Sequence, residues 1–120
     1  MTRLLLRLYL KPRVPLGPGK IQLLEAVRDH GSITRAARTM KMSYRSAWLL
    51  VDSMNALFRR TVVATTVGGR GGGAAVLTPF GAQVIRRYRA MEWATRRAIA
   101  KDLVPLERAV RPSRRRRSET

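Results

Sequence analysis

The sequence predicts a mainly α-helical fold with one small antiparallel β-sheet, made of an N-terminal strand and a later hairpin, and a long C-terminal helix, and three observations lead there. Apolar residues recur at helical spacing in successive short blocks between Pro18 and Phe58. A β-branched run, a glycine-rich stretch and a second apolar run follow between Val62 and Leu77. From Pro79 an apolar stripe at helical spacing continues to about Leu103.

Taken in order, Leu4, Leu6, Leu8 and Leu10 alternate with Leu5, Arg7 and Tyr9. That period of two reads as one strand with a buried face. Pro12, Pro15, Gly17, Pro18 and Gly19 form a turn-rich connector. A helix is predicted from about Pro18 to Arg28, with Ile21, Leu24 and Val27 on one face. His30-Gly31 ends it, glycine being the preferred residue just past a helix.

Ser32 is a good N-cap for a short second helix, in which Ile33, Ala36, Ala37 and Met40 make an inward stripe. The alanines permit close crossing by a neighbouring helix. Lys41-Met42 is a brief turn, and Ser43 caps a third helix to about Phe58, with Ala47, Leu50, Val51, Met54 and Leu57 inward. A short helix, a tight turn and a second helix make a helix-turn-helix. Val62 to Thr66, Gly68 to Gly73 and Ala75 to Leu77 read as strand, loop and strand, a hairpin directly after the third helix. Such a hairpin is a wing, so the predicted fold is a winged helix-turn-helix.

Thr78-Pro79 supplies an N-cap and a proline at the first helical position. The helix that follows carries Phe80, Val84, Met91, Ala94 and Ala98 on its stripe, with Ile85, Tyr88 and Ile99 beside them. About 25 residues at ~1.5 Å each make a rod of roughly 37 Å. One small body cannot cover that stripe, so its far half is expected to meet a second copy. The domain reading is residues 1–104 as one DNA-binding unit, with a dimerisation helix at about 79–103 and a basic, disordered tail at 105–120. No internal repeat is seen.

Composition narrows the functional classes. The chain of 120 residues carries 25 Lys and Arg against 7 Asp and Glu, a net charge of +18. So large an excess repels itself in a compact body and suits a polyanionic partner, nucleic acid before an anionic membrane. There is no cysteine and His30 is the lone histidine, so no disulfide, thiolate or His/Cys metal cluster can be assembled. The Leu4 to Leu8 stretch is too short for a signal-peptide core or a bilayer span. A cytoplasmic location and no membrane partner are expected. A phosphate-cradling enzyme loop at Gly68 to Gly73 would need Gly-Lys-Ser/Thr and a helix after it, whereas Ala74-Ala75-Val76-Leu77 follows. No enzyme, metal or cofactor is expected.

The run from Leu16-Gly17-Pro18-Gly19 through Gly31-Ser32-Ile33, Ala36-Ala37 and Met42-Ser43-Tyr44-Arg45 to Ala47-Trp48 resembles the ModE family of molybdate-responsive regulators. Gly68 to Gly73 and Leu77-Thr78-Pro79-Phe80-Gly81 resemble it too, so the likeness covers about residues 3 to 90. More distantly, the helix-turn-helix resembles that of LysR-type regulators. The resemblance implies a winged-helix DNA-binding domain that dimerises through its N-terminal strand and C-terminal helix and usually represses. Two features depart from the family. Its full-length members carry a molybdate-binding module after this domain, whereas nothing past Pro105 here is expected to fold into one, so no molybdate binding is expected. Lys41 stands where relatives usually have glycine; if left-handed, it costs on the order of 1 kcal/mol.

A recognition helix puts its first side chains against base edges. That selects Ser43, Tyr44, Arg45 and Ser46. Arg45 suits a bidentate contact to guanine O6 and N7, and Tyr44 a thymine methyl or a phosphate. Ser32 and Thr34 open the preceding helix, where free N–H groups favour a phosphate, and Arg35 and Arg38 suit the DNA backbone. Arg70, among the wing glycines, suits the minor groove. The plainer reading is solvated surface charge for Arg45, Arg35 and Arg38, packing against the first helix for Tyr44, and a flexible hairpin tip touching nothing for Arg70. Trp48 lies one turn beyond Tyr44, at the edge between the core and the DNA-facing side, with core packing the favoured reading, and His30 is expected to act as a helix-end cation. Arg114 to Arg117 either raise non-specific DNA affinity or form a solvated terminus. The leading reading is a DNA-binding regulator, expected to be a repressor, that binds a two-fold-related operator as a homodimer. Its recognition helix is at about 43–58 and its wing at about 62–77. The alternative is a sequence-indifferent architectural or RNA-binding protein.

Overall fold

A computed structural model of the chain describes residues 2–66 and 74–113. It is a mainly α winged helix with two small antiparallel sheets. Strands β1 (Leu8–Lys11) and β2 (Val14–Leu16) come first, then helices α1 (Pro18–His30), α2 (Ile33–Thr39) and α3 (Tyr44–Leu57). Strands β3 (Val63–Thr65) and β4 (Ala75–Leu77) form the wing, and α4 (Pro79–Ala109) completes the described fold.

Helix α1 is the hub, with α2, α3, α4 and β4 all packed on it. Proline at its start pre-sets the helical φ, and Gly31 at φ 71° returns its N–H to the Val27 carbonyl at 2.8 Å. Because neighbours surround it, Ile21, Leu23, Leu24, Ala26 and Val27 are all buried. Ile33, Ala36 and Ala37 of α2, Ala47, Val51 and Met54 of α3, and Val84, Ile85 and Tyr88 of α4 close the core around them. Each fully buried aliphatic side chain contributes roughly 1.5–3 kcal/mol.

The α2–α3 turn is tight for a specific reason. Lys41 adopts φ 57°, which lets the Met42 N–H reach the Ala37 carbonyl at 3.0 Å and the Lys41 N–H reach Arg38 at 3.1 Å. This is the paired bonding of a left-handed helix cap, built on a residue other than glycine. The expected strain at Lys41 is therefore present, and the turn accommodates it.

The wing is tied down at its root. Strand β3 pairs with β4 in the register Val63↔Leu77, Ala64↔Val76 and Thr65↔Ala75. The Asn55 side chain accepts from Val62 N–H at 2.7 Å and donates to the Val63 carbonyl at 3.1 Å. On the other side, the Ala75 N–H donates to the Gly31 carbonyl at 3.0 Å. Gly81 lets α4 pass against this root, because a Cβ there would lie 2.2 Å from the Val62 carbonyl oxygen.

Two elements differ from expectation. The N-terminal strand was expected to span Leu4 to Leu10 and the next residues to be a connector. Instead β1 begins at Leu8 and folds back on β2, with Tyr9 opposite Pro15 and Arg13 left-handed in the turn, so it forms its own sheet rather than one shared with the wing hairpin. A two-stranded ribbon has only edges, so a proline lacking its N–H is tolerated, and the Pro15 carbonyl accepts Lys20 Nζ at 2.7 Å. Residues 2–7 still alternate, with Leu4 and Leu6 half-buried and Leu5 and Arg7 exposed. The Tyr88 hydroxyl donates to the Leu6 carbonyl, and burial pushes that phenol above its ordinary pKa.

Helix α4 also runs six residues past its expected end at Leu103, through Pro105 to Ala109. A proline there frees the Lys101 carbonyl, but this stretch is exposed, so water can take up the bond. The first half of α4 is anchored by Arg89, whose guanidinium meets Glu25 of α1 at 2.8 Å and Glu92 at 2.7 Å. Past Arg89 no described residue of α4 is buried, and Trp93 and Leu106 lie open to solvent. Among the described residues, no helix is long and apolar enough to cross a membrane.

Candidate nucleic-acid interface

The first turn of α3 is built by its cap. Ser43 Oγ accepts the Ser46 N–H at 3.0 Å and donates to Ser46 Oγ at 2.9 Å, so both serines are partly occupied in holding the turn. Ala47, Val51 and Met54 then lock the inner arc of the helix into the core. What remains outside is fixed by helical geometry. Tyr44, Arg45, Ser46, Trp48, Leu49 and Asp52 are exposed along one arc. Tyr44, Arg45 and Trp48 line an open depression of about 330 Å³. Among the described residues, no hydrogen bond or ion pair holds the Arg45 guanidinium.

Helix α2 offers a second exposed arc. Ser32 Oγ accepts the Arg35 N–H at 3.0 Å, as an N-cap should, while Arg35 and Arg38 are exposed and Thr34 is half-buried. His30 stands in the last turn of α1, and its Nε2 lies 3.2 Å from Thr39 Oγ1, which also donates to the Arg35 carbonyl. That contact closes the end of α1 onto α2. The structure thus gathers Ser43, Tyr44, Arg45 and Ser46 on one turn, with Arg35 and Arg38 on the adjoining helix. Arg70 and Arg114 to Arg117 lie outside the described residues.

Trp48 corrects the expectation. Of its two readings core packing was the favoured one, and the side chain is instead 43 % exposed, one turn beyond Tyr44 on the outward arc. Once Ala47, Val51 and Met54 fill the inner arc, position 48 has no room to turn inward, and large apolar character outweighed that spacing in the sequence reading. Leu49, 47 % exposed, was overlooked altogether. Arg60 was overlooked too; its guanidinium sits 5.3 Å from the Phe80 ring centroid, at the foot of the wing.

Comparison with known proteins agrees with this geometry. Residues 19–82 match the bacterial regulatory helix-turn-helix protein family of the lysR type. The chain is 42 % identical over 93 residues to the molybdenum transport protein ModE of Azotobacter vinelandii, covering 76 % of this chain and 34 % of that one. It is 38 % identical over 87 residues to the DNA-binding transcriptional dual regulator ModE of Escherichia coli K12, covering 72 % and 33 % respectively. To the molybdenum-pterin-binding protein MopB of Rhodobacter capsulatus it is 44 % identical over 77 residues, covering 64 % and 28 %. The chain spans about a third of the length of these curated relatives.

Proposed function

The chain belongs to the lysR family of bacterial regulatory helix-turn-helix proteins, and its helix-turn-helix region is of the ModE type; from that premise we propose that it is a sequence-specific DNA-binding transcriptional repressor. One observation carries the reading. The outward arc of α3 presents Tyr44 and an Arg45 that pairs with none of the described residues, while the inward arc is locked by Ala47, Val51 and Met54. A guanidinium held on so rigid a helix suits guanine O6 and N7, with Tyr44 at a thymine methyl or a phosphate. Arg35, Arg38 and the start of α2 at Ser32 and Thr34 suit the phosphate backbone, which fixes register without reading sequence. Arg70 keeps the minor-groove role that its sequence setting suggests.

The protein binds as a homodimer on a two-fold-related operator. Support comes from an apolar groove of about 400 Å³ that includes Leu8, Leu10, Phe58, Phe80, Val84 and Met91. Its stripe continues along α4 past Met91 to Ala94 and Ala98, all exposed. A second copy laid on this stripe would cover it and set two recognition helices one or more DNA turns apart.

The decisive experiment is selection of binding sites from random duplexes. The expected result is one enriched, two-fold-related motif bound ~10³-fold or more over random DNA. Binding that falls with salt but enriches nothing would leave a sequence-indifferent basic protein. Calorimetry of these 120 residues with molybdate is expected to show no saturable heat.

A further inference from the structure

The outward arc of α3 carries more than its arginine. Trp48 and Leu49 stand side by side there, each more than two-fifths exposed, with Tyr44 one turn before and Asp52 one turn after. No described element covers them, because α1 and α2 pack on the opposite arc through Ala47, Val51 and Met54. The indole N–H has no hydrogen-bond partner among the described residues. Apolar surface of this size at the centre of a basic reading face gains nothing from phosphates or from polar base edges. In the major groove of DNA the one apolar feature that stands out from a base pair is the thymine C5 methyl group. RNA lacks that methyl, and its deep, narrow major groove does not admit a helix.

We propose that Trp48 and Leu49 are specificity-determining residues that read thymine methyl groups beside the base pair contacted by Arg45. This rests on the reading of α3 as a recognition helix and adds a second kind of contact to it. Each half-site then combines a hydrogen-bonded guanine with one or two neighbouring thymines recognised by methyl burial alone. Tyr44 shares the apolar strip, one turn nearer the start of the helix.

The test uses the full chain and the motif recovered from random duplexes. Each thymine of that motif is replaced in turn by deoxyuridine, which removes the methyl and leaves every hydrogen-bonding group in place. We expect one or two positions per half-site to lose about fourfold in affinity, the worth of one buried methyl-sized group. Trp48→Ala should abolish the thymine preference at one of them and Leu49→Ala at the other, with the guanine preference intact. Trp48→Phe, which keeps an aromatic ring of shorter reach, should retain part of it. A sharp motif in which the wild-type protein binds thymine and uracil equally would overturn the inference and leave the regulator reading standing. Undiminished thymine preference in a folded Trp48→Ala protein would overturn the assignment of that residue. No enriched motif at all would sink the recognition-helix reading, and this inference with it.

Discussion

Helices α1 and α3 have almost the same length, 13 and 14 residues, yet they are used in opposite ways. Helix α1 is covered on several sides and buries five apolar residues. Helix α3 buries three and turns a tyrosine, a tryptophan and a leucine outward. One helix organises the core and the other keeps an open arc, where the proposed DNA contact falls. The difference teaches that apolar content alone does not assign a helix to the interior; what counts is whether neighbours exist on every arc.

Substitutions can break or sharpen that contrast. The largest effect is expected from Leu24→Ala in α1, where a fully buried side chain leaves a cavity among three helices. Loss of about 2–5 kcal/mol in chemical denaturation is expected, with operator affinity falling only as the folded fraction falls. Arg45→Ala in α3 should do the reverse. Its stability should stay within about 0.5 kcal/mol of the parent, while discrimination at one base pair per half-site drops by ~1–3 kcal/mol in competition binding. Lys41→Gly relieves the left-handed residue in the turn between them, and a gain of roughly 1 kcal/mol in stability should show as a higher denaturant midpoint. The smallest stability change is expected for Trp48→Ala, within about 0.5 kcal/mol by thermal melting, since the indole sits on an uncovered arc. A loss there as large as that of Leu24→Ala would show that both helices serve the core alike.

What could be read in the sequence was what depends on near neighbours. Ser32, Ser43 and Thr78 all cap the helices they were expected to cap, because a side-chain oxygen and an N–H three residues on decide the matter locally. The stripes of α2 and α3 followed from spacing alone. Asn55 and Gly81 could not be found that way. Each matters through Val62, which Asn55 bonds across seven residues and which Gly81 must clear at nineteen residues' distance. The two prolines misled for a shared reason. Pro15 in a strand and Pro105 in a helix were read as breaks, yet both stand where the missing N–H has no buried acceptor to disappoint. Within the candidate site, the capped turn and Arg45 were legible. Trp48 stayed open between the core and the outward side, and Leu49 was missed, because an apolar side chain facing solvent makes sense only once its partner is considered.

The bonds that hold the wing root have a mechanical consequence. With Asn55 gripping Val62 and Val63 from one side and Gly31 holding Ala75 from the other, hairpin and α3 are clamped to the same helix hub. Neither can swing without the other. The pair therefore has a set gap, and in the proposed DNA complex it would gauge the separation between a major groove and its neighbouring minor groove as well as the letters inside. A duplex twisted away from that gap would be touched by one jaw at a time, whatever its sequence.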